Sequence, residues 1–121
     1  MKKILIVDDC PETRALIHFT LTRENYDVIE ASNGGEALIK AIQETPDLIL
    51  LDIVMPQLDG FSTAVKLKEN INTEKIPIII ASSKSGLRPL FELNKGLQVK
   101  DFIEKPFLPE TLLEKVKDIL K

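Results

Sequence analysis

The sequence predicts an α/β fold in which a parallel β-sheet is covered by helices on both faces. Short apolar runs alternate with longer segments whose apolar residues recur at helical spacing, which gives five strand–helix units. The strands are apolar throughout, as is typical of strands buried on both faces of a parallel sheet. Right-handed crossover connections then restrict the topology to a few arrangements.

The predicted strands are short, and the third is the best defined. Residues 48–51 are four apolar residues in a row, too few for a helix, and Pro56 ends any strand soon after Asp52. Pro77 stands near the start of the fourth strand, where a strand tolerates proline. The strands are predicted at 4–7, 28–31, 48–52, 76–81 and 101–104.

Prolines and caps locate the helices between these strands. Pro11 and Pro109 suit a first helical turn, because the missing N–H costs nothing there. Asn33, three residues before Glu36, has the spacing of a capping box, and Asn25 suits a left-handed helix stop. Helices are predicted at 11–23, between 33 and 46, at 60–69, at 87–94 and from 109 onward. The residues predicted on their buried faces are Leu16, Ile17 and Leu21; Ala37, Leu38, Ala41 and Ile42; Phe61, Ala64, Val65 and the stem of Lys68; and Leu112, Leu113, Val116, Ile119 and Leu120.

Length and composition indicate one ordinary globular domain spanning residues 1–121. The net charge of −3 gives no sign of a nucleic-acid-binding surface. A single cysteine cannot form an internal disulfide, which favours a reducing cytoplasm. The apolar run after Met1 is too short for a signal peptide or a membrane span, so we expect a cytoplasmic protein without membrane insertion.

Polar residues stand at the ends of the predicted strands. Asp8 and Asp9, Asp52, Ser82 and Lys105 each lie at or just past a strand exit. In a parallel sheet all these exits share one edge, which is where open α/β sheets bind ligands. The sequence therefore predicts that these distant residues converge on one crevice.

Phosphoryl transfer to a carboxylate would use all these groups. Crowded carboxylates repel one another, and Mg²⁺, which takes oxygen ligands, relieves this repulsion. Asp52 would be the nucleophile, while Lys105 and Ser82 would contact phosphoryl oxygens. Taken singly, the acidic pair could be a solvated turn, Ser82 a turn residue and Lys105 a surface lysine.

At this point the sequence resembles the receiver domain of two-component response regulators, in particular a stand-alone, chemotaxis-regulator-like receiver. The resemblance extends over essentially the whole chain and rests on four segments, IVDD at 6–9, LLDIVMPQLDG at 50–60, ASS at 81–83 and FIEKPF at 102–107. It implies a flavodoxin-like (βα)5 fold with a doubly wound, five-stranded sheet of order 2-1-3-4-5.

The resemblance also implies a role for each site residue. Asp52 would be the phosphoacceptor and a Mg²⁺ ligand. Asp9 would bind the metal directly and Asp8 through water. The backbone carbonyl of Val54 would be a further ligand.

The remaining roles concern the response to phosphorylation. Ser82 would hydrogen-bond the phosphoryl group, and Lys105 would pair with it, or with Asp52 beforehand. The bond between Lys105 and Pro106 would be cis. Phe102 would be the switch aromatic that turns inward with Ser82, although it could instead be a permanent core residue.

As a receiver, the protein would act as a phosphorylation-dependent switch rather than a turnover enzyme, catalysing only its own phosphorylation and dephosphorylation. A sensor histidine kinase or phosphotransfer protein would supply the phosphoryl group, and a downstream effector protein would read it. The protein would be a monomer, or a weak dimer when phosphorylated, and would not bind nucleic acid directly. Departures from the family pattern at Ser83, Pro89 and 98–99 fall near the surface where receivers contact partners.

Two other functions use a similar sheet. A phosphatase or phosphotransferase could turn over through an aspartyl phosphate, but its expected second acid, two residues after the nucleophile, is Val54 here. A flavin-binding electron carrier is a third possibility, and the acids after the first strand argue against it.

Overall fold

The computed structural model describes residues 1–52, 60–82 and 99–120. Five parallel strands form one sheet of order β2-β1-β3-β4-β5, which confirms the predicted fold class. The strands are β1 Lys3–Val7, β2 Asp27–Ala31, β3 Leu48–Asp52, β4 Ile78–Ser82 and β5 Val99–Glu104. The helices are α1 Pro11–Thr22, α2 Gly34–Glu44, α3 Gly60–Glu69 and α4 Pro109–Leu120. The helix predicted at 87–94 lies outside the described residues.

The three central strands place alternate side chains in two cores, one on each face of the sheet. Every residue of β3 and β4 is buried, and in β1 only Lys3 is partly exposed. One core lies under α2 and α3 and the other under α1 and α4. The first core contains Leu5, Val7, Ile49, Leu51, Ile78 and Ile80, and the second contains Ile4, Ile6, Leu48, Leu50, Ile79 and Ala81.

Pro77 precedes β4, so the strand begins two residues later than predicted. Its carbonyl still accepts a hydrogen bond from the Ile49 amide at 3.0 Å, because proline lacks only the donor. No helix within the three described ranges is both long and apolar enough to cross a membrane.

Three of the predicted helix faces need correction. Leu16 was predicted to be buried on α1, but it is 53% exposed, and the buried residues there are Ile17, Thr20 and Leu21. On α3 the stem of Lys68 is exposed, and Leu67 occupies the core instead. Ile42 was predicted on the buried face of α2, but it is 39% exposed. All three errors are small rotations of the buried face, which apolar spacing resolves poorly in helices of only three turns.

The predicted helix-boundary residues are confirmed at both sites. The side-chain oxygen of Asn33 accepts a hydrogen bond from the Glu36 amide at 2.8 Å and so caps α2. Asn25, with φ of 66°, is left-handed three residues after the end of α1. Asparagine tolerates this conformation better than most residues, which explains its use here.

We predict that Asn33→Ala lowers the free energy of unfolding by about 1 kcal/mol, because the Glu36 amide loses its side-chain acceptor. Urea denaturation of the two proteins measures this difference. Asn33→Asp keeps an acceptor oxygen and is expected to stay close to wild type. Equal losses in the two variants would contradict the capping role.

Candidate functional site

The register of the sheet brings the predicted site residues to one edge. Val7 pairs with Leu51, so the residues that follow them, Asp8 and Asp52, emerge side by side from adjacent strands. Asp52 ends β3, and Ser82 ends the neighbouring strand β4. Lys105 follows β5 directly, and its amide donates to the Ser82 carbonyl at 2.8 Å.

The three aspartates form a compact acidic cluster. Asp8, Asp9 and Asp52 each offer a carboxylate oxygen, and these atoms lie within 4.8 Å of one another. Asp8 and Asp52 are only 2% and 6% exposed, whereas Asp9 is exposed. An all-oxygen donor set of this kind, open to solvent on one side, fits Mg²⁺, which is usually bound by few carboxylates and keeps several waters.

Lys105 faces this cluster with its ammonium group. Its Nζ lies 2.6 Å from Asp8 Oδ2 and 3.6 Å from Asp52 Oδ2. The resemblance implied a pairing with Asp52, but the shorter contact is to Asp8. A lysine ammonium is a compact charge with three donors, so it can bond one carboxylate while it remains within ion-pair range of the other.

Asp8 is held by hydrogen bonds on its side chain and on its backbone. The Cys10 amide donates to Oδ1 at 2.9 Å, so both carboxylate oxygens already have a donor. The Asp8 amide donates to the Ala31 carbonyl at 3.1 Å, and Arg14 Nη1 donates to the Asp8 carbonyl at 2.6 Å. Asp8 is therefore fixed in position, and its oxygens are less available than those of Asp9 for direct metal contact.

The surroundings of Phe102 and Pro106 complete the described part of the site. Phe102 lies in β5 opposite Ile80, half-buried against the core beneath α2 and α3. The peptide bond between Lys105 and Pro106 is cis. Val54, the predicted carbonyl ligand, lies outside the described residues, as do Ser83 and Pro89.

Sequence reasoning did not identify a second charged group beside the acidic cluster. Glu30 in β2 accepts hydrogen bonds from Arg14 Nε at 3.0 Å and pairs with His18 Nδ1 at 2.6 Å. An acid within the apolar segment of residues 28–31 was the only available signal. Nothing local in the sequence connects it to Arg14, because the contact depends on how α1 packs beside β2.

The environment of Glu30 affects its acidity. Partial burial tends to raise the pKa of its carboxyl group, but the hydrogen bonds from His18 and Arg14, with their positive charges, outweigh burial and lower it below the ordinary value. Glu30 therefore favours its charged form in the folded protein.

Comparison with known proteins agrees with this geometry. A family profile described as "Response regulator receiver domain" matches residues 4–117, which is nearly the whole chain. The chain therefore belongs to the response regulator receiver family, whose members act as phosphoacceptor switches and bind Mg²⁺ at an acidic pocket.

Two individual relatives each match 99% of the chain. Protein PilH of Pseudomonas aeruginosa is 37% identical over 120 residues, covering 99% of this chain and 98% of that protein. The alkaline phosphatase synthesis transcriptional regulatory protein PhoP of Bacillus subtilis is 40% identical over 122 residues. This chain spans 49% of PhoP, so it corresponds to about half of that regulator.

Solved structures share the fold. The chemotaxis protein CheY4 of Vibrio cholerae superimposes with a TM-score of 0.90 and 30% identity, covering 98% of both chains. The response regulator protein TrrA of Thermotoga maritima, in complex with Mg²⁺-BeF, gives a TM-score of 0.87 and 34% identity, covering 98% of this chain and 99% of TrrA.

We predict that Glu30→Gln lowers the free energy of unfolding by about 1 kcal/mol at neutral pH, the upper end for a partly exposed ion pair. Because folding lowers the pKa of Glu30, its contribution is present above its unfolded value of 4.5 and is lost as the pH falls through the folded value. Urea denaturation from neutral pH down to about pH 3.5 should therefore show wild type and variant converging.

Glu24→Gln is the matched control for this prediction. It removes an exposed pair with Lys117, at 3.0 Å, remote in sequence from the acidic cluster. We expect a smaller loss of unfolding free energy from it at neutral pH. A constant gap between wild type and Glu30→Gln across the pH range would contradict the charged-state argument.

Proposed function

We propose that this protein accepts a phosphoryl group onto Asp52, with Mg²⁺, and thereby changes a surface that its partners read. The observation that carries the proposal is the position of Asp52. Its carboxylate is nearly buried at the carboxyl edge of the sheet, in a cluster with Asp8 and Asp9 and 3.6 Å from the Lys105 ammonium. A nucleophilic oxygen and the cation that would neutralise an incoming phosphoryl group thus occupy the same crevice.

In the proposed reaction an Asp52 oxygen attacks phosphorus, and the bond between phosphorus and its leaving group breaks as the new O–P bond forms. The departing group is the imidazole of a phosphohistidine or the acetate of acetyl phosphate. A bound Mg²⁺ would supply positive charge for the phosphoryl oxygens. Lys105 would move its ammonium from Asp8 toward these oxygens, and the Ser82 hydroxyl would donate to one of them.

The contacts of Asp8 support a division of labour in the acidic pair. Both Asp8 oxygens are already bonded, one to the Cys10 amide and one to Lys105. We assign direct metal binding to Asp9 and Asp52, together with the Val54 carbonyl, and contact through water to Asp8.

The switch would couple the phosphoryl group to a partner surface. Ser82, drawn toward the phosphoryl group, would let Phe102 turn inward and would bias a two-state equilibrium around β5. Residues 1–121 would form one receiver domain that catalyses only its own phosphorylation and dephosphorylation. The protein would work in the cytoplasm as a monomer, or as a weak dimer once phosphorylated, without direct contact to nucleic acid.

Membership of the receiver family supports partners of two kinds, a histidine kinase or phosphotransfer protein as donor and an effector protein as reader. PilH, which this chain matches over 98% of its length, supports a receiver domain over residues 1–121. The TrrA complex with Mg²⁺-BeF supports an acidic site that holds Mg²⁺. Family membership favours this switch over the phosphatase and flavin-carrier alternatives.

We predict that incubation with acetyl phosphate and Mg²⁺ adds one phosphoryl group to the intact protein, as measured by mass spectrometry. Asp52→Asn should abolish the gain, since an amide oxygen does not attack phosphorus at a useful rate. Omission of Mg²⁺ should prevent it as well, because the crowded carboxylates would repel the anionic donor.

Lys117→Gln is the matched control for this reaction, because it alters a surface ammonium whose partner is Glu24 rather than the acidic cluster. We expect it to be phosphorylated like wild type. A mass gain that persists in Asp52→Asn, or no gain in wild type, would refute the proposed function.

A further prediction concerns how long the phosphorylated form persists. Val54, two residues after Asp52 in the sequence, has an aliphatic side chain that cannot orient an attacking water. We therefore expect slow spontaneous hydrolysis and a shorter phosphoprotein half-life in Val54→Asn, followed by mass spectrometry after removal of acetyl phosphate. Lys84, two residues beyond Ser82 in the sequence, is the other residue that could position the attacking water, so Lys84→Met serves as the comparison variant. An unchanged half-life in Val54→Asn would contradict the role of Val54.

A further inference from the structure

Arg14 connects the acidic cluster to the second strand of the sheet. Its Nη1 donates to the backbone carbonyl of Asp8 at 2.6 Å, and its Nε donates to Glu30 Oε1 at 3.0 Å. A guanidinium group is planar and rigid, so two bonds, one to the residue after β1 and one to a residue of β2, fix its orientation. The Arg14 side chain is mostly buried, with 19% exposure.

Glu30 is itself held from several sides, which makes it a firm anchor for Arg14. Its backbone pairs with Ile6 in the sheet, and Lys40 of α2 donates to its carbonyl. Its second carboxylate oxygen, Oε2, bonds His18 Nδ1 at 2.6 Å. Glu30 is thus held by α1 through its carboxylate and by α2 through its backbone carbonyl.

The carbonyl that Arg14 holds belongs to the peptide unit that joins Asp8 to Asp9. Because a peptide unit is planar, fixing this carbonyl also fixes the amide of Asp9 and the direction in which its chain continues. Asp9 is the exposed member of the acidic cluster. The direction of its side chain therefore depends on how its backbone is positioned.

We propose that Arg14, oriented by Glu30, is a positioning residue that sets the Asp8–Asp9 peptide so that the acidic cluster binds Mg²⁺ tightly. This inference rests on the proposed function. It assigns to Arg14 a role in metal affinity beyond the packing of α1. The helix is already docked by Ile17 and Leu21, which are almost completely buried.

The test is the affinity of the unphosphorylated protein for Mg²⁺, measured by isothermal titration calorimetry. We expect Arg14→Gln to raise the Kd for Mg²⁺ about tenfold, as is common when a group that orients a ligand is removed. Arg14→Lys should raise it several-fold, since a single ammonium cannot reproduce both bonds of the guanidinium. Glu30→Gln, which keeps an oxygen but loses the charge, should have the smallest effect.

Phosphorylation by acetyl phosphate gives a second measurement. In Arg14→Gln the reaction should need about tenfold more Mg²⁺ for half-maximal rate, while the rate at saturating Mg²⁺ should stay near that of wild type. A role limited to packing would instead lower the melting temperature in the presence of EDTA and leave the Kd unchanged. Lys117→Gln, whose ammonium pairs with Glu24, should match wild type in both measurements.

The outcomes separate this inference from the function beneath it. A wild-type Kd in folded Arg14→Gln overturns the inference alone, provided that wild type binds Mg²⁺ and is phosphorylated. If Arg14→Gln does not fold, a wild-type Kd in Arg14→Lys overturns it instead. A wild-type protein that binds no Mg²⁺ and takes no phosphoryl group overturns the proposed function and this inference together.

Discussion

The central constraint on the site is the repulsion among three carboxylates that lie close together at one edge of the parallel sheet. Two of them, Asp8 and Asp52, are almost completely buried, where water screens their repulsion poorly. The carboxylates are crowded because β1 and β3 are neighbours in the sheet, and Asp8, directly after β1, lies at the level of Asp52, the last residue of β3. Lys105, brought in by β5, offsets part of the negative charge, and the remainder makes the cluster attractive to a divalent cation.

The groups that stabilise Asp8 come from elements far apart in the sequence. The Ala31 carbonyl at the end of β2 accepts its amide, Arg14 of α1 bonds its carbonyl, and Lys105 after β5 bonds its side chain. Two of these contacts come from the edges of the sheet, because Ala31 ends β2 and Lys105 follows β5. The geometry of the acidic site therefore depends on the whole fold, and a change in either edge strand would alter it.

Much of this arrangement could be predicted from the sequence, and the reasons are physical. Uniformly apolar strands identify a parallel sheet, and in such a sheet a polar residue at a strand exit has only one edge to occupy. That reasoning brought Asp8, Asp52, Ser82 and Lys105 together. The sequence could not show that Lys105 lies nearer to Asp8 than to Asp52, because a difference of 1 Å depends on side-chain conformation.

Contacts between elements were also beyond sequence reasoning. The hydrogen bond from Arg14 to Glu30 joins residues 16 positions apart, and no sequence pattern links the two residues. The prediction for Leu16 was wrong for a related reason, because the rotation of a short helix about its axis is set by what it packs against. Tertiary packing decides both questions.

The complete burial of β3 and β4 has a consequence for how these strands find their alignment. In a strand with one solvent-exposed face, a register shift by one residue exposes apolar side chains to water, and this penalty fixes the register. In β3 and β4 a shift by one residue would replace one apolar side chain by another, except at the carboxyl ends of the strands. Such a slip would bury Asp52 and Ser82 inside the sheet or move them beyond its carboxyl edge. The residues proposed for signalling therefore also help to fix the register of the strands.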